Sequence, residues 1–232
     1  MITGILVALP EELRTLTQSN IQQGDCVTVA KNTLVTLSGS GAKNANIATK
    51  RLIDNGANQL ISWGCAGALA PHLKAGDLVI PSTILTNNNT SFATQESWSK
   101  QVINTLEQNI TCYNGKLFES DTIISLAQDK AAQYQQTGAL AVDMESGALA
   151  QVAQQAGIPF IAIRSIADPA NMDLPKAIAY AMTGQGVISI PKLLLYLCTH
   201  LTNLPGLINT AQHFNTANKT LKAVAVQLPK IT

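Results

Sequence analysis

The segment AVDMESGALAQVAQQAGIPFIAIRSIADPA, residues 141–170, decides the fold class of this chain. It contains an apolar strand pattern, then a helical pattern rich in small residues that ends near Gly157, then a second apolar strand pattern. This order is typical of a βαβ unit. Because the connection is short and contains one helix, we expect the two strands to be parallel neighbours with a right-handed crossover. The segment therefore predicts an α/β protein.

The rest of the chain repeats this alternation of strand and helix patterns. Strands are predicted at residues 2–9, 25–30, 32–39, 58–69, 76–87 and 116–120, and helices from Pro10, over 42–56 and over about 123–136. Residues 88–115 are polar and are interpreted as a surface excursion that contains a short helix. No linker, repeat or low-complexity tract divides the chain. We expect one domain over residues 1–232, with an extended helical segment at about 175–228.

The composition narrows the range of partners. Charged residues make up only 12% of the chain and hydrophobic residues 46%. This composition predicts that much of the protein surface is buried against a partner. A homo-oligomer is the expected explanation, and a peripheral contact with lipid or membrane is the alternative. A net charge of +1 with scattered Lys and Arg argues against nucleic acid. Four dispersed cysteines and three histidines predict neither a metal site nor a disulfide framework, and no cofactor is expected.

The sequence also leads to an expectation about the cellular location. The first residues lack the basic region and cleavage site of a signal peptide, and no apolar run is long enough to span a bilayer. We therefore expect a cytoplasmic protein, with a peripheral position at the inner membrane surface as the alternative.

Carboxylates are concentrated where predicted strands end. In open α/β sheets, ligands bind outside the carboxyl ends of the strands, so polar residues there are candidates for a site. The chain has fourteen Asp and Glu residues, and five of them follow predicted strands: Glu11, Glu12, Asp143, Glu145 and Asp168. This placement predicts an acidic site at one edge of the sheet.

Four motifs carry a family resemblance. ITGILVALPEE, LSGSG, WGCAGALAPHLKAGDLVIP and residues 141–170 resemble, in this order and spacing, the nucleoside phosphorylase and nucleosidase superfamily. They look closest to methylthioadenosine/S-adenosylhomocysteine nucleosidases, over about residues 1–172. The resemblance implies a three-layer α/β/α fold around a mixed, partly barrel-like sheet. It also implies cleavage of the N-glycosidic bond of a purine nucleoside.

The resemblance assigns roles to three carboxylates and one methionine. Asp168 would be the acid that protonates the purine, because the base leaves poorly unless it is protonated. Glu145 would bind the ribose 2′- and 3′-hydroxyls, since a carboxylate offers two acceptor oxygens, and Met144 would pack under the sugar. Glu12 would position the attacking water. Read singly, Asp168 before Pro169 is equally a turn residue, and Glu145 and Glu12 are equally carboxylates at helix starts.

Further residues are expected to contact the substrate. Ile123 and Ile124 lie at positions that line the base pocket in members of the family, although packing in the core explains these two apolar residues equally well. The remaining substrate-binding candidates belong to the strand-end motifs and are Gly39, Cys65, Ala66, Gly67, Asp143 and Arg164. Arg164 is expected either to supply a positive charge near the nucleophile or to neutralise Glu12 and Glu145.

The chain departs from the methylthioadenosine nucleosidase pattern in three positions. Cys65 stands for a serine, Ala167 for a small hydroxyl residue and Asp143 for a glutamate. The Cys65 thiol is interpreted as a small buried filler.

The first loop bears on the nucleophile of the expected reaction. Phosphorylases of the superfamily use a glycine- and arginine-lined phosphate site, whereas LPEE is acidic, which favours hydrolysis, although phosphorolysis stays open. The SGSG turn can also cradle an anion.

The tail, together with AVDMES and the ADPA turn followed by LP, resembles the hopanoid-associated branch of the superfamily. The resemblance implies release of adenine from adenosylhopane, a lipid-linked nucleoside. The alternatives are a methylthioadenosine/S-adenosylhomocysteine or futalosine nucleosidase, a nucleoside phosphorylase, and a non-catalytic nucleoside-binding protein.

The tail also has an apolar pattern of its own. Residues at helical spacing form one apolar stripe, which predicts packing on the core or on a second subunit: Leu204, Leu207, Ala211, Phe214, Ala217, Leu221 and Val224. The run IPKLLLYLC, residues 190–198, is a candidate route for a lipid.

Overall fold

The computed structural model describes residues 1–181 and 204–231. Seven helices are described in these ranges: α1 Pro10–Leu13, α2 Ala42–Asp54, α3 Glu96–Leu106, α4 Ala127–Thr137, α5 Ser146–Ala156, α6 Lys176–Ala181 and α7 Leu204–Ile231. The strands of the same ranges are β1 Thr3–Val7, β2 Cys26–Ala30, β3 Thr33–Leu37, β4 Gln59–Ala68, β5 Leu78–Val79, β6 Thr83–Thr86, β7 Ser91–Ala93, β8 Cys112–Tyr113, β9 Lys116–Glu119, β10 Ala139–Asp143 and β11 Phe160–Asp168.

The eleven strands form one mixed sheet with β4 at its centre. The main order is β2-β3-β1-β4-β10-β9-β6-β7, and a branch runs from β4 through β11 and β5 to β8. β4 is ten residues long. It pairs in parallel with β1 and β11, and its last residues pair antiparallel with β10. The α/β class and the mixed sheet are confirmed.

The predicted βαβ unit is only partly correct. Its strand, helix and strand exist as β10, α5 and β11, with a left-handed Gly157 capping the helix at φ 67°. However, β4 lies between β10 and β11, and it is antiparallel to β10 while it is parallel to β11. The prediction of parallel neighbours is therefore wrong, because the crossover passes over a strand that comes much earlier in the chain.

Both faces of the sheet are covered, which accounts for the continuous apolar strands. Alternate residues of β1 point to opposite sides: Leu6 joins the core under α2 and α5, whereas Ile5 and Val7 join the core under α3 and α7. All three are fully buried. The result is an α/β/α arrangement of three layers.

The segment 88–115 is not the surface excursion that its polar composition predicted. Phe92, Trp98, Val102 and Leu106 are buried. Trp98 Nε1 also donates to the Ile231 carbonyl at 2.5 Å, which ties α3 to the end of α7. The apolar residues of α3 lie on one face, and a polar majority on the other face concealed them. The predicted helix at 123–136 likewise begins only at Ala127.

The tail contributes to the core through the second half of α7. The members of the predicted apolar stripe differ in burial: Ala217, Leu221 and Val224 are fully buried, Leu207 and Phe214 are half-buried, and Ala211 is exposed. Packing of the stripe on this chain's own core is thus confirmed for its C-terminal part. The run at 190–198 lies outside the described residues. Among the described helices, none is both long and apolar enough to cross a bilayer.

Candidate active site

The predicted strand-end carboxylates are brought together around β4. Glu12, from α1 after β1, contacts the backbone of Cys65 in β4. Glu145, after β10, contacts the loop after β3, and Asp168, at the end of β11, lies beside Gly67. Glu11 is exposed on the outer side of α1. One edge of the sheet thus holds three candidate functional acids.

Glu12 is a buried carboxylate that backbone N–H groups hold in place. Its Oε1 accepts the N–H of Cys65 at 2.8 Å, and its Oε2 accepts the N–H of Leu9 at 3.1 Å, just ahead of α1. Gly64 leaves the space for it, since a Cβ there would lie 2.7 Å from Glu12 Oε1. Burial raises the pKa of Glu12 to about 7, although Arg164 and the N–H donors oppose the rise. A carboxylate of this pKa exchanges protons near neutral pH.

Glu145 is held by the glycine-rich turn. Its Oε1 accepts the Gly41 N–H at 2.8 Å and the Ser40 hydroxyl at 3.2 Å. Gly41 has φ 94°, a conformation that favours glycine. Burial and the nearby Asp143 raise the pKa of Glu145, and Arg164 opposes them. The anion that the SGSG turn binds in this structure is therefore the Glu145 side chain.

Arg164 lies beneath these acids in a buried polar network. Its Nε donates to Asp143 Oδ2 at 2.7 Å, and one terminal nitrogen donates to the hydroxyls of Ser62 at 2.6 Å and Ser146 at 3.0 Å. Asp143 also accepts the Ser146 hydroxyl. Burial lowers the pKa of Arg164, but Asp143, Glu145 and Glu12 outweigh it, so the pKa is raised overall. Of the two roles expected for Arg164, this geometry favours neutralisation of buried carboxylates.

Asp168 is paired with a lysine that the sequence analysis did not select. Lys130 Nζ lies 2.5 Å from Asp168 Oδ2, and the Lys130 side chain has no exposed surface. Burial raises the pKa of Asp168, and the Lys130 charge opposes that rise. Nothing in the polar pattern of α4 distinguishes Lys130 from its exposed neighbours, so only the contact reveals it.

The other predicted substrate residues are less distinctive. Met144, Ile123 and Ile124 are half-buried, and Ile124 packs against the small apolar cluster of Leu69, Phe118, Ala139 and Val142. Ala66 is buried next to Gly67. Gly39, at φ 77°, turns the chain after β3.

Two further groups bear on the chemistry of the site. Burial and the adjacent Glu12 raise the pKa of the Cys65 thiol well above its usual value, so the thiol stays protonated. A protonated thiol is a poor nucleophile, although Cys65 is half-buried rather than fully buried as expected. Glu119, another acid that sequence reasoning missed, ends β9, and its buried carboxylate accepts the N–H of Ala148 in the first turn of α5 at 2.8 Å. Burial is the main cause that raises the pKa of Glu119 to about 7. In the part of the chain that the structure describes, no group of three His, Cys, Asp or Glu side chains is placed to bind a metal ion.

A mixed sheet with acids gathered at its strand ends defines an α/β protein with a candidate ligand site at those ends. The chain belongs to the phosphorylase superfamily, whose sequence model matches residues 3–184. It is 29% identical over 198 residues to the 5′-methylthioadenosine/S-adenosylhomocysteine nucleosidase of Staphylococcus epidermidis, which covers 72% of this chain and 86% of that protein.

Solved structures share the whole fold. The 5′-methylthioadenosine/S-adenosylhomocysteine nucleosidase of Neisseria meningitidis, in complex with methylthio-immucillin-A, superposes with a TM-score of 0.75 at 19% identity, and the match covers 99% of this chain and 98% of that chain. The futalosine hydrolase of Helicobacter pylori superposes with a TM-score of 0.71 at 21% identity, and the match covers 97% of each chain.

Proposed function

We propose that this chain is an enzyme that cleaves the N-glycosidic bond of a purine nucleoside. One observation carries the proposal: three acids meet at the strand ends in three different environments. Glu12 faces backbone N–H donors, Glu145 faces the SGSG turn, and Asp168 faces a buried lysine. Different environments give acids different proton affinities, which acid–base catalysis requires. The names of the nucleosidase relatives agree with this reaction.

Glu145 is proposed to bind the ribose. Its Oε1 is held by Gly41 and Ser40, so the carboxylate is oriented before any substrate arrives. A carboxylate has acceptor capacity for the two vicinal hydroxyls of a ribose. Met144, the preceding residue, is half-buried and is proposed to pack against the sugar. This arrangement supports the role that the family resemblance implies.

Glu12 is proposed to be the general base. A base works best when its pKa lies near the working pH, and the pKa of Glu12 is raised to about 7. In the reaction, Glu12 takes a proton from water as the water oxygen bonds to the anomeric carbon. Asp168 gives its proton to a ring nitrogen of the purine as the glycosidic bond breaks, and the bonding electron pair leaves with the base. Solvent then restores both protonation states.

Water is favoured over phosphate as the nucleophile. A phosphate site needs free cations, whereas Arg164 is buried and already donates to Asp143, Ser62 and Ser146. The Gly41 N–H of the SGSG turn already binds Glu145. The acid of the first loop, Glu12, would repel phosphate. We therefore propose hydrolysis.

The substrate is proposed to be an adenine nucleoside with a bulky 5′ group, adenosylhopane in particular. The AVDMES and ADPA motifs, the long tail and the low charge support this choice. Methylthioadenosine and S-adenosylhomocysteine are the second candidates, because the curated relatives carry these substrates in their names. Futalosine is a third, by the fold shared with a futalosine hydrolase. A homo-oligomer and a peripheral membrane contact remain predictions that rest on the amino-acid composition.

Release of the free base tests the proposal. The purified chain is incubated with adenosylhopane in vesicles, methylthioadenosine, S-adenosylhomocysteine or futalosine, with and without phosphate. We expect release of the base without phosphate and its loss in Asp168→Asn, while the control Asp129→Asn, at an exposed position on α4, stays active. A chain that binds nucleosides but releases no base from any of them would be a non-catalytic binding protein.

A further inference from the structure

Lys130 is a fully buried cation whose hydrogen-bonding capacity is used up. Its Nζ donates to Asp168 Oδ2 at 2.5 Å, to the Met172 carbonyl at 2.9 Å and to the Pro169 carbonyl at 3.1 Å. An ammonium group has three N–H donors, and these contacts satisfy all three. All three partners are oxygen atoms, and two of them are carbonyls that can only accept, so the site suits an ammonium group.

Placing this charge in the interior is energetically costly. Removing an ammonium from water costs several kcal/mol and is offset only by a partner of opposite charge and by further hydrogen bonds. The two carbonyls and a carboxyl oxygen of Asp168 supply the hydrogen bonds, and Asp168 supplies the opposite charge whenever it is ionised. Helix α4 therefore places a buried cation against the one residue proposed as the acid.

Gly67 also restricts the position of Asp168. A Cβ on Gly67 would lie 3.0 Å from Asp168 Oδ1 and 3.2 Å from Oδ2, so the carboxylate sits directly over the glycine of β4. The contacts with Lys130 and Gly67 together leave the carboxylate little freedom. Its side chain keeps 13% exposure, through which solvent can exchange protons.

We propose that Lys130 is a positioning residue that holds the Asp168 carboxyl group in place and controls its proton transfer to the purine. The proposal rests on the proposed function above. When the proton passes from Asp168 to a ring nitrogen of the base, Asp168 becomes a carboxylate, and the Lys130 ammonium stabilises the negative charge that has formed. Lys130 thereby favours the transfer and keeps Asp168 aimed while it occurs.

Other titratable groups also face Asp168. His213 of α7 lowers the pKa of Asp168, less strongly than Lys130 does, and Cys65 of β4 lies within electrostatic reach. The cysteine thiol stays neutral, so His213 is the second group to control. A His213→Gln variant isolates its contribution.

The experiment measures kcat against pH in a Glu12→Gln background, where the proposed base no longer titrates. In this background, kcat should fall as the pH rises and Asp168 loses its proton. Adding Lys130→Met should move this falling limb to higher pH by about one unit or more, because an opposite charge at this distance lowers a carboxyl pKa by about 1–3 units. We also expect kcat to fall about 10-fold or more, with a smaller change in KM.

Controls separate positioning from structural support. Lys130→Arg keeps the cation and should leave the limb near its original pH, as should Lys116→Met, which removes an exposed lysine that donates to the end of α4. His213→Gln should move the limb less than Lys130→Met does. If Lys130→Met lowers kcat but leaves the limb in place, Lys130 merely tethers residues 169–172 and the proposal is wrong.

A measurement on the unsubstituted enzyme covers the case in which neutral variants do not fold. The ¹⁵N resonance of the Lys130 ammonium should shift with the same midpoint as the Asp168 limb, and a resonance that stays constant across that limb overturns the proposal. If the unsubstituted chain releases base and Asp168→Asn does not, only the Lys130 proposal is at stake in these tests. Failure of the unsubstituted chain to release any base instead contradicts the proposed function.

Discussion

The Oε1 atom of Glu12 lies 2.8 Å from the backbone nitrogen of Cys65, so an acid that follows the first strand is held against the middle of the fourth. This contact is made across 53 positions of the sequence. It places a carboxylate whose pKa is raised to about 7 next to the strand that carries Gly67, the neighbour of Asp168.

The first prediction concerns the pH dependence due to Glu12. As a base, Glu12 acts only when it is ionised, so its contribution makes kcat rise with pH. Glu12→Gln should lower kcat by about 10²–10⁴ and remove the rising limb, since a positioned base contributes that much. Steady-state kinetics from pH 5 to 9 measure both effects. The control Glu11→Gln changes the exposed neighbour in the same turn, and retention of the rising limb in Glu12→Gln would contradict the assignment.

The second prediction concerns recognition of the ribose. Glu145→Gln should reduce kcat/KM by an amount equivalent to about 1.5–3 kcal/mol, because hydrogen bonds to a charged acceptor contribute about that much. The same variant should discriminate less between a ribonucleoside and its 2′-deoxy analogue. The two substrates are compared in competition for each enzyme. Discrimination equal to that of the unsubstituted enzyme would show that Glu145 does not bind the 2′-hydroxyl.

The third prediction tests the space over Gly67. In Gly67→Ala, the new methyl group would lie 3.0 Å from Asp168 Oδ1, so the carboxylate has to move. At that distance the carboxylate has to shift by a few tenths of an ångström, so we expect kcat to fall by less than the roughly 100-fold that a displacement of about 1 Å costs. A double-mutant cycle gives the control, because Gly67→Ala should have little further effect once Asp168→Asn is present. Additive losses would mean that Gly67 acts on something other than Asp168.

The fourth prediction concerns the buried ion pair of Arg164. Asp143→Asn leaves Arg164 buried without its charged partner and should lower the free energy of unfolding by about 3–5 kcal/mol. Urea denaturation at neutral pH measures the change. As a matched control, Glu96→Gln breaks the exposed pair with Lys100 and should have little effect. Equal stability of the two variants would show that the network around Arg164 is not structural.

The fifth prediction concerns stability against pH. The pKa of Glu119 is about 7 in the folded state against an ordinary value of 4.5, so the folded state holds this proton more tightly than the unfolded state between those values. Stability due to Glu119 is therefore present at low pH and is lost as pH rises from about 4.5 through 7. Glu119→Gln should flatten the fall in melting temperature over this window, and Glu107→Gln, at an exposed position, should not. If the melting temperature of Glu119→Gln falls with pH as steeply as that of the unsubstituted protein, the raised pKa of Glu119 is contradicted.

Local sequence patterns were sufficient to predict the positions of many of the strands and helices. Strands β1, β2, β3, β4, β10 and β11 and helices α2 and α5 lie close to where apolar periodicity and turn residues predicted them. These signals are local, since side-chain period and backbone preference act within a few residues. Segment 88–115 was misread for the same reason: its buried face is a minority of its residues, and composition averages over both faces.

By itself, the sequence determined the α/β class, the superfamily motifs and the gathering of acids after strands, because each depends on neighbours along the chain. Only the tertiary structure decided which acid meets which partner. It inserted β4 between β10 and β11, paired Arg164 with Asp143, and brought Lys130 to Asp168 across 38 positions. Such contacts depend on strand order and helix packing, which set the burial and charge around each group, and no local pattern records them.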